Sequence, residues 1–327
     1  MRRLDFIKAF RGAGLADPLT TRAEQVSLAV VRVVSTGAVE GSAARFALGA
    51  VGLALATLTG LLAAFEPALA SSKALQVTFP GADGVTLKSW VYAPTQPGQH
   101  PAVVAMHGCS GLTDDNGRPS ERHEDWGQRL SGLGFVVLFP DSFGSRGLGP
   151  QCKVGDREVR PSHERVDDAL ASLAYLATQA TVRPQAISLL GWSNGGSTVL
   201  YSVEPKHAPR SGVDFAKAVA FYPGCRVPLE TGQWKTRLPL LILIGTADDW
   251  TAAAPCVDLT TGAKSNSLPV DIVTYPNAYH DFDHPNLPVH TIDGLAFTAS
   301  GTGHVHTGTN PAARADAIMR VPTFLAR

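Results

Sequence analysis

Apolar and polar positions along the chain change period several times, and each change marks a predicted element. Residues 75–92 read as two antiparallel strands around a turn at Gly81-Ala82-Asp83-Gly84. Residues 100–106 form the next strand, apolar through Ala102-Val103-Val104-Ala105-Met106. Residues 120–133 are a predicted helix with Ser120 as its cap. Residues 135–139 are a strand that ends in Pro140-Asp141. Residues 161–179 carry Val166, Ala169, Leu170, Leu173, Leu176 and Ala177 at helical spacing, which predicts a second helix. A strand through Ala186-Ile187-Ser188-Leu189-Leu190 runs into Gly191, and Ser197-Thr198-Val199-Leu200-Tyr201 starts a helix. Strands follow over 213–222 and 238–245, with Pro239 at the start of the second, where a strand tolerates proline. A helix starts at Ala252, residues 270–275 alternate as another strand, and Asn310-Pro311 opens the last helix. Strands and helices alternate, so the expected architecture is α/β, a mostly parallel central sheet with helices on both faces.

The first 70 residues break this pattern. Residues 46–65 are twenty uncharged, largely apolar positions preceded by Arg45. Ala68-Leu69-Ala70 follows, with the small-x-small form of a signal-peptidase site. The run has no polar face, which argues against a buried core helix. The expectation is an export signal in 46–70, cleaved after Ala70. An uncleaved membrane anchor is the alternative, because the run is long enough to span a bilayer. Residues 1–45 are read as an N-terminal extension of the kind that a start codon placed too early would produce. Residues 71–327 are then one α/β domain.

The chemistry gathers where strands end. Gly191-Trp192-Ser193-Asn194-Gly195 lies between a predicted strand and a predicted helix. That context is a nucleophile elbow, whose sharp turn lifts the serine hydroxyl above the sheet. A serine needs a histidine base, and the base needs a carboxylate to fix its tautomer. Both follow in the order such sites use. Asp248 stands just past the 238–245 strand and is the expected acid, with Asp249 as the competing choice. His280 stands past the 270–275 strand and is the expected base, with His284 close by. The oxyanion hole is expected from the backbone N–H of Asn194 and that of Cys109, in the loop after the 100–106 strand. His107 is expected to hold that loop's shape. Trp192, Trp250, Phe143 and Tyr279 lie beside these loops and are candidate substrate-lining residues, with core packing the other reading of each. Asp141 and Arg146 are expected to form a structural ion pair, with substrate binding as the other reading.

Charge removes some classes of partner. The chain has 28 Lys plus Arg and 28 Asp plus Glu, with no basic run, which argues against nucleic acid. All four cysteines lie in the expected mature domain, and three pairings are possible. Cys225 follows one strand and Cys256 lies on the helix after the next, while Cys109 and Cys152 share the catalytic edge. Pairs 225–256 and 109–152 are therefore expected, with four buried thiols as the alternative. Disulfides point to a periplasmic or secreted protein. No Cys or His spacing suggests a metal, and no cofactor is expected.

Together, five segments resemble the dienelactone hydrolase family of the α/β-hydrolases. They are Met106-His-Gly-Cys-Ser-Gly-Leu112, Pro140-Asp-Ser-Phe-Gly-Ser-Arg-Gly147, Gly191-Trp-Ser-Asn-Gly-Gly196, Gly245-Thr-Ala-Asp-Asp-Trp-Thr251 and Tyr275-Pro-Asn-Ala-Tyr-His-Asp-Phe282. The resemblance covers residues 75–327 and implies the α/β-hydrolase fold, with Ser193, Asp248 and His280 at the nucleophile, acid and base positions. One departure matters. Dienelactone-cleaving members carry a cysteine nucleophile and a glutamate near the oxyanion loop, whereas this chain has Ser193 and no glutamate in His107-Gly-Cys-Ser-Gly111. The resemblance therefore implies a serine hydrolase acting on small carboxylic esters or lactones rather than the dienelactone activity itself. Two alternatives stay open: a peptidase or amidase on the same triad, and a non-catalytic binding protein that kept the fold.

Overall fold

The computed structural model describes residues 73–209 and 212–327, so the expected signal or anchor and the extension before it lie outside the described residues. The strands are β1 (Leu75–Pro80), β2 (Thr86–Tyr92), β3 (His100–Met106), β4 (Val136–Pro140), β5 (Val182–Trp192), β6 (Ala218–Phe221), β7 (Leu240–Gly245) and β8 (Val270–Tyr275). They form one sheet in the order β1-β2-β4-β3-β5-β6-β7-β8. β1 pairs antiparallel with β2, and β2 with β4. Every pairing from β4 across to β8 is parallel. Successive side chains on a strand face opposite sides, and every residue of β4, β6 and β7 is buried. Both faces of the sheet are therefore covered, as a parallel sheet requires.

The cover is helical. α1 (Glu121–Gly132) packs on β2 and β4, and α2 (Glu164–Ala177) packs on β3, β4 and β5. α3 (Asn194–Ser202) packs on β5 and β6, and the short α4 (Arg226–Glu230) meets α5 (Ala253–Ser265), which packs on β8. A small hairpin of β9 (His290–Ile292) and β10 (Val305–Thr307) precedes α6 (Pro311–Ala326), which reaches β7. Arg314 of α6 binds Asp125 of α1 at 2.8 Å. Asn310 caps α6 as expected, accepting the Ala313 N–H at 3.1 Å.

Four expectations change. The strand expected over 213–222 shortens to Ala218–Phe221. The chain before it turns because Asp214 is gripped by both ends of the Arg237 fork, at 2.7 Å each. β5 instead starts earlier, at Val182, where it pairs with His100. Ser120 stands at the N-cap of α1, but its hydroxyl bonds His123 Nδ1 at 2.8 Å instead of a helical N–H. The Asp141–Arg146 pair is replaced: Arg146 forks onto Asp168 of α2, and Asp141 accepts the Gly144 N–H.

Candidate active site

β5 ends at Trp192, and α3 starts at Asn194, so the whole reversal falls on Ser193. Its backbone stands at φ 52°, ψ −112°, a conformation that side-chain-bearing residues rarely adopt. The turn is too tight for side chains around it. A Cβ at Gly191 would lie 2.3 Å from the Gly195 carbonyl oxygen, and one at Gly195 would lie 2.0 Å from that of Met106. The strain is held by packing and by the bond from Ser193 N–H to the Phe221 carbonyl, 3.0 Å. Ser193 then faces a cavity with the N-terminus of α3 behind it.

The partners converge from the ends of β7 and β8. Asp248 Oδ2 lies 2.8 Å from His280 Nδ1, and both side chains are buried. Asp248 Oδ1 accepts the Trp250 and Thr251 N–H groups at 3.0 and 2.8 Å, which fixes the carboxylate. The Thr251 hydroxyl adds a bond to Oδ2 at 3.1 Å. Asp249 turns the other way and holds His306, with 2.8 Å between Oδ2 and Nδ1. The structure thus brings Asp248, and not Asp249, to His280. Burial by itself pushes the His280 pKa down; the charge and hydrogen bond of Asp248 outweigh it and hold the imidazole above its ordinary value. His280 Nε2 is buried and has no hydrogen-bond partner among the described residues. His280 borders the same cavity as Ser193.

His280 is held from several sides. Its carbonyl accepts from Gly308 N–H at 2.9 Å and from the Thr307 hydroxyl at 3.1 Å. The Tyr222 ring packs 4.4 Å from the imidazole and the Trp250 ring 4.7 Å. Three residues along the chain, buried Asp283 accepts from the indoles of Trp126 and Trp192 and from the Tyr222 hydroxyl. Arg122 donates to Tyr222 and pairs with Asp281.

The loop after β3 lies against the elbow, since a Cβ on Gly108 would stand 3.7 Å from that of Ser193. His107 does hold its shape. Its Nε2 accepts the Ser142 N–H at 3.2 Å, so Nδ1 carries the proton and donates to the Gly108 carbonyl at 2.8 Å. Burial, reinforced by the Arg165 charge, keeps this ring neutral by pushing its pKa well below the usual value. Cys109 and Asn194 border one cavity with Ser193, and the Cys109–Cys152 disulfide anchors the loop. The second disulfide is Cys225–Cys256, so both expected pairings are present. Among the described residues no group of His, Cys, Asp and Glu could hold a metal ion.

Of the four candidate lining residues, only Trp250 borders the cavities. Trp192 is fully buried between Phe139 and Phe221, both of which stack on it. A residue at the buried end of a central strand points into the core, whatever its neighbour does. Phe143 is buried under His107 and Arg165. Tyr279 turns away and stacks on His306. Aromatic character near the catalytic loops could not separate these cases. The sequence reading missed Arg165, Arg122, Tyr222 and Asp283. For Arg122 and Arg165 the local hint was a charged residue on the inner side of a helix, and Asp283 lies in a loop that gave none.

Known proteins agree with this architecture. A model of the dienelactone hydrolase family matches residues 87–327. Among solved structures, a dienelactone hydrolase from Klebsiella pneumoniae described as putative superposes with a TM-score of 0.57 at 16% identity, covering 78% of this chain and 98% of that one. Esterase 2 from Thermogutta terrifontis gives 0.54 at 19%, covering 80% and 97%. Dipeptidyl peptidase 4 from Porphyromonas gingivalis gives 0.55 at 19%, covering 78% of this chain but 35% of that one. At such identities the superpositions show the fold. The family match spans most of the chain and ends at its last residue, and on it this chain belongs to the dienelactone hydrolase family of α/β-hydrolases.

Proposed function

We propose that this chain is a serine hydrolase that cleaves carboxylic esters or lactones through an acyl-enzyme on Ser193. One observation carries the reading. His280 is held by Asp248 on one nitrogen, its other nitrogen is buried and has no partner among the described residues, and the residue borders the cavity that Ser193 borders. A nitrogen left without a partner in a buried site costs about 1–3 kcal/mol, a cost that a catalytic base recovers when substrate and serine align.

In the first half-reaction Ser193 Oγ attacks the carbonyl carbon and its proton passes to His280 Nε2. The Asn194 and Cys109 N–H groups receive the oxyanion, in the field of the α3 N-terminus. The tetrahedral intermediate collapses, the bond to the leaving oxygen breaks, and His280 returns the proton to that oxygen. In the second half a water gives its proton to His280 and its oxygen to the acyl carbon. Collapse releases the acid and restores the Ser193 hydroxyl. Asp248 stays ionised and stabilises the imidazolium.

Thermogutta esterase 2 has been captured phosphorylated by paraoxon, which makes an organophosphorus probe the natural test. The full chain is incubated with a fluorophosphonate and the adduct is mapped by mass spectrometry. p-Nitrophenyl acetate and butyrate are run beside a Ser193→Ala variant. An adduct on Ser193 and turnover lost in the variant support the reading. A folded sample with neither sinks it and favours a binding protein. The two disulfides also lead us to place the working protein in an oxidising compartment, periplasmic or extracellular. No helix among the described residues is long and apolar enough to cross a membrane.

A further inference from the structure

Two cavities meet at Ser193, and both are bordered by Cys109 and Trp250. The larger, about 480 Å³, is lined further by Asn194, Tyr201, Val227, Pro255 and Phe297. The smaller, about 280 Å³, is lined further by His280, Arg122, Lys153, Ile292 and Leu295. His280 borders the smaller one alone.

We propose that an ester is divided between them, with the acyl group in the larger cavity and the leaving alcohol in the smaller. The substrate class is then esters of an extended or bulky acid with a compact alcohol. The inference rests on the acyl-enzyme reading and assigns its two halves.

The direction follows from where the proton must go. When the bond between the carbonyl carbon and the leaving oxygen breaks, that oxygen takes the proton from His280 Nε2. It must lie within about 2.6–3.2 Å of that nitrogen. The group carried by the leaving oxygen therefore starts beside His280 and extends into the cavity that His280 borders. The acyl carbon stays on Ser193 Oγ, with its oxygen toward Asn194 and Cys109. Its chain leaves on the other side, where Asn194 and Tyr201 line the larger space. Departure of the alcohol empties the smaller cavity, and the attacking water enters there, within reach of the same Nε2.

The walls fit this division. Val227 and Phe297 at the larger cavity are each 51% exposed, so a chain longer than the cavity can continue past them. The smaller cavity is backed by buried Leu295, by Arg122 held on Asp281, and by Cys152 of the disulfide. Exposed Ser110, Pro150 and Lys153 stand at its rim, so it is the smaller volume that limits the alcohol.

Ethyl octanoate and octyl acetate test the assignment, because they are isomers that differ only in which side is long. A single methylene in a confined pocket changes specificity by roughly 10- to 200-fold. With the full chain, kcat/KM for ethyl octanoate is expected to exceed that for octyl acetate by about tenfold or more. Val227→Trp, which narrows the larger cavity, lowers that ratio, and Ile292→Trp, which narrows the smaller, raises it. Equal values or a preference for octyl acetate in the unmodified chain overturn the assignment, whether or not the variants fold. A Ser193 fluorophosphonate adduct in the same sample separates the two ideas. With the adduct present, a reversed preference or turnover of neither isomer removes the pocket assignment and leaves the nucleophile standing. Without adduct or turnover, both fall.

Discussion

Arg165 donates a hydrogen bond from Nη1 to the side-chain carbonyl of Asn194, the residue directly after Ser193. Its other terminal nitrogen donates to the His107 carbonyl at 2.7 Å, and Phe143 lies under its guanidinium plane at 5.1 Å. One buried group on α2 thus ties the elbow to the loop after β3. Those are the two segments whose N–H groups are proposed to receive the oxyanion. Burial lowers its pKa to about 9, so it is still a cation at neutral pH. We assign it a positioning role. Arg165→Met leaves the Asn194 side-chain carbonyl and the His107 carbonyl unpaired, at a cost of about 1–3 kcal/mol each, and also removes the longer bond to the Ser142 hydroxyl. Loss of donor alignment is expected to lower kcat by roughly 10- to 100-fold while KM moves by no more than a few-fold, less than the loss of a whole donor. Arg165→Lys can reach one of the two acceptors and should recover part of kcat. Michaelis curves at a temperature where both variants are folded decide it. A raised KM with unchanged kcat would show that Arg165 acts on ground-state binding instead.

The adjacent carboxylates Asp248 and Asp249 provide a second test, because each holds a different histidine. Asp248→Asn keeps the shape but can no longer fix the His280 tautomer. Its kcat is expected to fall by about 10⁴-fold. Asp249→Asn loosens His306 in the β9–β10 hairpin and should leave kcat within a few-fold. Comparable losses in the two variants would contradict Asp248 as the acid.

The sequence showed the parts of this site that depend on backbone order. Gly191, Ser193 and Gly195 are legible because only a tight strand-to-helix turn needs that spacing. Asp248 is legible because it follows an apolar run that reads as a buried strand, and His280 because it follows an alternating run that reads as the next strand. What was not legible depends on long-range contact. Arg165 sits in a helical stripe, and nothing local shows that its partners are His107 and Asn194. Trp192 and Trp250 are both near candidate catalytic positions, yet one is locked between Phe139 and Phe221 and the other borders the cavities. Asp249 differs from Asp248 only in the direction the loop turns. The 285–309 segment, rich in glycine, gave no period to read, yet it supplies Phe297 to one cavity and Ile292 and Leu295 to the other.

In the proposed mechanism the His280–Asp248 pair sets the pH dependence. His280 must be neutral to take the Ser193 proton, so kcat/KM rises with pH through its pKa. That value is held above the reference of about 6.5, and the half-rise is expected on the alkaline side of it. In Asp248→Asn the carboxylate is gone and burial remains, so the half-rise of the residual activity moves to lower pH. Stability has the opposite sign. A raised folded-state pKa contributes stability that is complete below about 6.5 and is lost as pH rises through the folded value. A flat profile between pH 5 and 8, measured with p-nitrophenyl butyrate under subsaturating conditions, would count against His280 as the base.

The two disulfides should differ in what they do. Cys109–Cys152 closes 43 residues and Cys225–Cys256 closes 31, so by chain entropy each is worth about 3–4 kcal/mol. Replacing either pair with alanines should therefore lower the urea midpoint by similar amounts. Their effects on turnover should not match. Cys109 lies in the loop against Ser193, and its carbonyl also accepts the Gln151 N–H at 2.7 Å, so the first bridge fixes a proposed oxyanion donor. Cys225–Cys256 ties the chain after β6 to α5, and although Cys225 borders the larger cavity, neither cysteine lies in a segment proposed to hold the oxyanion. The double variant Cys109→Ala/Cys152→Ala is expected to lose kcat by about tenfold or more, a fraction of what deleting a donor costs. Cys225→Ala/Cys256→Ala should keep most of it when both are measured well below their melting points. Equal kcat in the two folded double variants would mean that the first bridge stabilises the fold without positioning the loop.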